Sequence, residues 1–136
     1  MGELRLLRFL ESVWALERRL SAQLVDHGLT LSQFRLLLLL KDGEPQTATR
    51  LSVVLGITKA TTTALLQDLA DADLITVARN PEDRRSVHVS LNATGNKRLH
   101  EALDGLTVLE RMLGRQLAPG VIEALDQLNL KNEQSR

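Results

Sequence analysis

The stretch from Leu51 to Gly95, LSVVLGITKATTTALLQDLADADLITVARNPEDRRSVHVSLNATG, decides how the rest of this chain is read. Its first helix should stop at Gly56, because glycine enters the left-handed conformation at a helix end without a Cβ penalty. Thr58 then offers the hydroxyl that caps a following helix. In that helix Thr62, Leu65, Leu66 and Leu69 recur at i, i+3, i+4 and i+7, which turns one side inward. The other side is small and polar, with Ala60, Thr63, Ala64 and Gln67, and with Lys59 and Thr61 near its start. Short side chains let a helix sink into the major groove of DNA, where glutamine pairs with adenine and threonine touches a thymine methyl. An ordinary surface helix carries the same composition, so the following segment has to decide.

Leu74 to Ala78 and Ser86 to Leu91 are short, β-branched and partly alternating, the pattern of a hairpin. Between them runs Arg79-Asn80-Pro81-Glu82-Asp83-Arg84-Arg85, with Asn-Pro marking the turn. Three arginines in these seven residues suit a narrow minor groove, which concentrates negative potential. A carboxylate two residues before Arg85 can hold the guanidinium fork in one orientation. A solvated turn with incidental ion pairs would read the same way locally, and such pairs are worth little at a surface.

The ordered combination is more specific than any part. Leu51, Leu55-Gly56-Ile57, Leu69, Leu74-Ile75, Asp83-Arg84-Arg85 and the close Leu91-Asn92-Ala93-Thr94-Gly95 together resemble the winged helix-turn-helix of the multiple-antibiotic-resistance regulator (MarR) family. Asn92 stands where the family usually has Thr, and both are good helix N-caps. The resemblance implies that Arg85 enters the minor groove with Asp83 orienting it, and that Arg84 shares the wing contact. It implies base and backbone contacts from Lys59, Thr61, Thr63, Ala64 and Gln67. Three positions depart from the pattern: Ala64 and Asp68 stand where relatives often carry basic residues, and Asp73 where glycine is usual. Asp can adopt the left-handed conformation, so the turn at Asp73 should survive. The missing basic residues matter more, because phosphate contacts supply much of DNA affinity. The expectation is weaker binding than a basic regulator shows, or heavier reliance on the wing.

Charge bears on the same point. The chain balances 17 basic against 17 acidic residues, so no global basic field draws it to DNA. From Thr47 to Leu91, Arg50, Lys59, Arg79, Arg84 and Arg85 are matched by Asp68, Asp71, Asp73, Glu82 and Asp83. Lys59 lies at the leading end of the reading helix and the aspartates toward its far end, and the N-terminal amides also favour anions.

A chain of 136 residues suggests one domain over residues 1–136, mainly α with a small β-hairpin wing. The winged helix-turn-helix should occupy 30–91, flanked by N- and C-terminal dimerisation helices in 1–29 and 92–136. From Leu4 to about His27, Leu6, Phe9, Leu10, Val13, Leu16, Leu20 and Leu24 follow helical spacing, and Leu7, Trp14 and Val25 widen the arc. From Asn92 to about Leu117, Leu99, Ala102, Leu103, Leu106, Leu109, Leu113 and Leu117 repeat the pattern. A third helix after Pro119 presents Val121, Ile122, Leu125, Leu128 and Leu130, with proline suiting a first turn. Helices this apolar must bury against each other or a partner. The resemblance implies an intertwined homodimer, and a two-fold dimer predicts an inverted-repeat operator of double-stranded DNA. A compact monomeric helical bundle is the alternative.

Thr30 and Gln33 make a capping-box pattern before Leu31 to Lys41. Its five consecutive leucines, Leu36 to Leu40, are too few for a bilayer, which needs about 20 apolar residues. A helix apolar all round is expected to be buried at the centre of the fold. Without a targeting or membrane-spanning pattern, the chain is expected to be cytoplasmic, with no membrane partner.

Catalysis finds no support. The absence of cysteine removes disulfides and thiol-based redox switching, and neither a nucleophile arrangement nor a glycine-rich phosphate loop is present. His100, Glu101 and Asp104 share helical spacing that a metal would need, but a solvated helix face explains them better, so neither metal nor other cofactor is expected. The resemblance implies a small-molecule effector, with Trp14, Arg18, Phe34 and Arg35 as candidate ligand-binding residues. Core packing for the aromatics and surface pairing for the arginines explain these four more simply. The expected function is a sequence-specific DNA-binding transcriptional regulator, a ligand-responsive repressor acting as a homodimer on an inverted repeat. The competing reading is a winged-helix protein-interaction module that has lost DNA binding, motivated by the neutral charge and the residues at 64 and 68.

Overall fold

Three threonines fix where helices begin in the computed structural model, which describes residues 4–83, 85–115, 120 and 123–127. The hydroxyl oxygens of Thr30, Thr47 and Thr58 each accept a backbone N–H three residues on, from Gln33, Arg50 and Thr61, all at 3.1 Å. Each satisfies one of the amides that a helix start leaves unpaired. At Thr30 the box is complete, since Gln33 Oε1 accepts the Thr30 N–H at 2.9 Å. The elements in order are α1 (Arg5–Val25), α2 (Leu31–Leu39), β1 (Gln46–Thr47), α3 (Ala48–Leu55), α4 (Lys59–Asp71), β2 (Ile75–Arg79), β3 (Val87–Leu91) and α5 (Ala93–Gly114).

The described chain divides into two compact units, residues 1–104 and 105–136. The first holds a core centred on Leu24, Leu36, Leu37, Leu40, Leu51, Leu69, Leu74, Val89 and Leu99, all essentially inaccessible. Residues 123–127 of the second are helical, whereas Leu117 and the expected helix residues Val121, Ile122, Leu128 and Leu130 lie outside the described residues.

Gly56 ends α3 at φ 67°, and the Ile57 N–H returns to the Ser52 carbonyl at 3.1 Å. Asp73 ends α4 the same way: its φ is 56°, and the Leu74 N–H reaches the Leu69 carbonyl at 3.0 Å. This is the geometry that usually selects glycine. Here Asn92 Nδ2 donates to the Asp73 carbonyl at 2.7 Å and lies 3.3 Å from its Oδ1, tying the strained turn to the far side of the wing.

The wing is a three-stranded antiparallel sheet in the order β1-β3-β2. β2 pairs with β3 from Ile75↔Leu91 to Arg79↔Val87, and Gln46 and Thr47 add a short edge opposite Val89 and His88. The hairpin expectation is met with its strands shifted by about a residue; the third strand has no counterpart in it. Asn92 then caps α5, its Oδ1 accepting the Gly95 N–H at 2.7 Å.

One expectation fails. The leucine run is not buried all round, since Leu38 and Leu39 are 40% and 36% exposed while Leu36, Leu37 and Leu40 are sealed. Five successive residues sweep more than a full helical turn at 3.6 residues per turn. The core of the chain covers only one side of that sweep. α1 is more exposed still: Leu6, Leu7, Phe9, Leu10, Val13, Trp14 and Leu16 all show large accessible surfaces, and only Leu24 is buried.

Candidate nucleic-acid interface

α4 divides as its sequence predicts. Thr62, Leu66 and Leu69 are buried and Leu65 is half-buried, while Lys59, Ala60, Thr61, Thr63, Ala64, Gln67 and Asp68 are exposed. The buried Thr62 hydroxyl donates to the Thr58 carbonyl at 2.9 Å, so its polar atom is satisfied without leaving the core side.

The hydroxyls on the outer face are organised rather than free to turn. Thr58 Oγ1 donates to Thr61 Oγ1 at 2.9 Å, which leaves the Thr61 hydrogen to donate outward. Thr63 Oγ1 donates to the Lys59 carbonyl at 2.9 Å, so toward solvent Thr63 presents lone pairs and a methyl group. Gln67 Nε2 donates to Asp71 Oδ1 at 2.8 Å. Neither the Thr58 contact nor the part played by Asp71 was singled out from sequence, although Gln and Asp four apart on a helix face are neighbours by spacing alone.

The wing tip is closed by local bonds. The Asn80 N–H donates to the Ser86 carbonyl at 3.0 Å, and Asn80 Oδ1 accepts the Glu82 N–H at 3.0 Å, an Asx turn. Asp83 Oδ1 accepts the Arg85 N–H at 3.0 Å and lies 3.5 Å from Arg85 Nε. The backbone bond is the firmer of the two, and it places the carboxylate where the guanidinium can rest against it. The Arg85 side chain is 95% exposed. Arg84 lies outside the described residues.

Two hollows flank α4. One of about 300 Å³ lies between α4 and the wing, lined by Thr63, Leu66, Gln67, Ala70, Val77 and Arg79 among others. The other, about 250 Å³, lies on the opposite flank, where Arg35 and Ser32 of α2 meet Leu55, Ile57, Thr61, Ala64, Leu65 and Asp68. Of the four candidate ligand residues only Arg35 borders it. Phe34 is in the core at 7% exposure and Trp14 stands on the open face of α1 at 47%; Arg18 is exposed on α1.

Among the described residues no group of three His, Asp or Glu side chains is placed to hold a metal ion. His100 Nδ1 lies 2.8 Å from the Asn96 carbonyl, a bond within α5. No helix among the described residues is long and apolar enough to cross a membrane.

This geometry has known counterparts. The chain is 34% identical over 80 residues to the HTH-type transcriptional repressor YetL of Bacillus subtilis, a match covering 57% of this chain and 48% of that protein. The match thus spans about half the length of that curated relative. Among solved structures, AbsC, a MarR family transcriptional regulator from Streptomyces coelicolor, superposes with a TM-score of 0.85 at 19% identity, covering 98% of this chain and 95% of that one. A MarR variant from E. coli complexed with operator DNA superposes with a TM-score of 0.80 at 24% identity, covering 96% and 95%. At those identities the structures show a shared fold. Residues 27–86, from the turn after α1 through the wing tip, match the model of the MarR family.

Proposed function

We propose that this chain is a sequence-specific DNA-binding regulator, a repressor that acts as a homodimer on an inverted repeat in the cytoplasm. The observation that carries the reading is the pairing of two surfaces. One is the small polar face of α4, shaped for the major groove. The other is a wing tip whose Arg85 is 95% exposed yet held at its base by Asp83. Lys59, Thr61, Thr63, Ala64 and Gln67 meet the major groove, and Arg85, with Arg84 beside it, meets the minor groove.

The apolar face of α1, with Leu6 83% and Trp14 47% exposed, supports dimerisation, because contiguous apolar surface of this kind marks an interface. Residues 30–91 form the reading head in this proposal, and 1–29 with 92–136 the dimerising part. The hollow bordered by Arg35 and the α4 residues Thr61, Ala64 and Asp68 is a candidate site for a small-molecule effector, whose binding would compete with the groove contacts of α4.

A selection from random duplex DNA at low salt tests this reading, and enrichment of an inverted repeat is the expected result. The charge balance from Thr47 to Leu91, with Ala64 and Asp68 on the outer face of α4, favours a second reading in which the winged helix binds protein instead. Recovery of no repeat would select it.

A further inference from the structure

Asp71 is badly placed on electrostatic grounds. It closes α4 at the negative end of the helix dipole, and it carries a negative charge on the element proposed to face phosphates. The contact that offsets this is its hydrogen bond from Gln67, with Nε2 and Oδ1 2.8 Å apart. Both residues are exposed, so the bond does not serve core packing.

A carboxylate only accepts, so the bond decides which end of the Gln67 amide turns toward Asp71. The reversed amide would set its Oε1 against Oδ1, acceptor against acceptor. When Asp71 takes the Nε2 hydrogen trans to Oε1, the second hydrogen and Oε1 are left side by side. Donor beside acceptor complements the major-groove edge of adenine, which offers the N7 acceptor and the N6 amino donor. Guanine offers N7 and O6, two acceptors, and would face Oε1 with a like group.

We infer that Asp71 is a positioning residue that orients the Gln67 carboxamide to read adenine. The inference rests on the DNA-binding proposal above and names the base that this part of the site selects. A Gln–Asp pair four apart on a helix biases orientation by about twofold, which sets the size of the effect.

The test is a binding-site selection with the full-length chain and its Q67A, D71A and D71N variants, read as base preference at each position. The wild type should enrich an inverted repeat, and Q67A should lose preference at one A·T pair in each half-site. D71A should lower the preference at that same pair by about twofold and leave the other positions unchanged. D71N keeps the shape but offers a donor as well as an acceptor, so it no longer fixes the Gln67 amide and should lower the preference as D71A does. A uniform gain in affinity for all sequences in D71A, with base preference intact, would show that Asp71 acts only as a charge and would overturn the inference. Loss at a G·C pair in Q67A would overturn it as well. A wild type that enriches no repeat fails differently, removing the DNA-binding reading itself.

Discussion

Gly95→Ala should destabilise the base of the wing, because the added methyl meets backbone rather than open space. A Cβ at Gly95 would lie 1.9 Å from the Leu74 carbonyl oxygen, 2.9 Å from its carbon and 3.1 Å from Leu91 Cδ2. Carbon–oxygen contacts settle near 3.3 Å or more, so a shift of roughly 1.4 Å is needed. The obstacle cannot swing aside. Leu74 is 1% exposed, its N–H is bonded to Leu69 and its carbonyl accepts the Asn92 N–H at 3.2 Å. Either α5 lifts or the turn at Asp73 moves, and both routes strain the bonds from Asn92 to Leu74 and Asp73. Overpacking of this kind costs about 1–3 kcal/mol, and one weakened hydrogen bond adds about 1 kcal/mol. Alanine's better helix propensity returns about 1 kcal/mol. The expected loss is therefore about 2 kcal/mol, or roughly 8 °C in Tm for a chain of this size, measured by urea and thermal denaturation followed by circular dichroism. Gly114→Ala is the control: it too lies in α5, but nothing approaches its added Cβ within 4 Å, so it should raise stability by about 0.5–1 kcal/mol. If Gly95→Ala proved as stable as the parent, the close packing of α5 on the wing would be wrong.

Arg85→Ala should weaken operator binding by about 1–3 kcal/mol if the residue reads bases, measured by fluorescence anisotropy on the selected site; unchanged affinity would remove the wing contact. Asp83→Ala should act in the same direction but by less than about 1 kcal/mol, the scale of an exposed ion pair. Thr58→Ala should cost about 1 kcal/mol of stability through the lost cap on α4, read from the urea midpoint. The one tryptophan of the chain reports on association, since Trp14 is 47% exposed in the single chain. Its emission should shift to the blue on concentration in step with a doubling of sedimenting mass, and a concentration-independent spectrum would argue against α1 as the interface.

What the sequence discloses here is local, and what it hides is long-range. Thr30, Thr58, Gly56 and the alternation of Thr62, Leu66 and Leu69 with Ala60, Thr63 and Gln67 are decided within a turn or two of helix. Spacing alone therefore places them correctly. β1 was invisible because two residues carry no periodicity; Gln46 and Thr47 become a strand only through Val89 and His88, more than forty positions away. The exposure of Leu38 and Leu39 misled for a related reason. Hydrophobicity reports that a residue will be covered, without saying whether by its own chain. Gly95 looked like one letter of a motif, and only packing against Leu74 gives it a physical reason.

The charge balance that first argued against DNA binding reads differently once the bonds of α4 and the wing are known. Each acidic residue that seemed to spoil the interface can be asked what it holds. Asp83 accepts the Arg85 backbone N–H, Asp71 accepts from the Gln67 side-chain amide, and the main-chain carbonyl of Asp73 accepts the Asn92 side-chain amide at the start of α5. Asp68, by contrast, lines the hollow that Arg35 also borders. A basic recognition helix gains affinity from phosphates, a contribution indifferent to sequence and weakened by salt. A helix whose hydroxyls and amide are held in fixed orientations spends less on ordering them when DNA arrives, because preorganised groups lose less entropy on binding. On the proposed reading Asp71 supplies that order to Gln67, while Thr58 and the Lys59 carbonyl supply it to Thr61 and Thr63, so a carboxylate that lowers nonspecific attraction would also sharpen discrimination between base pairs.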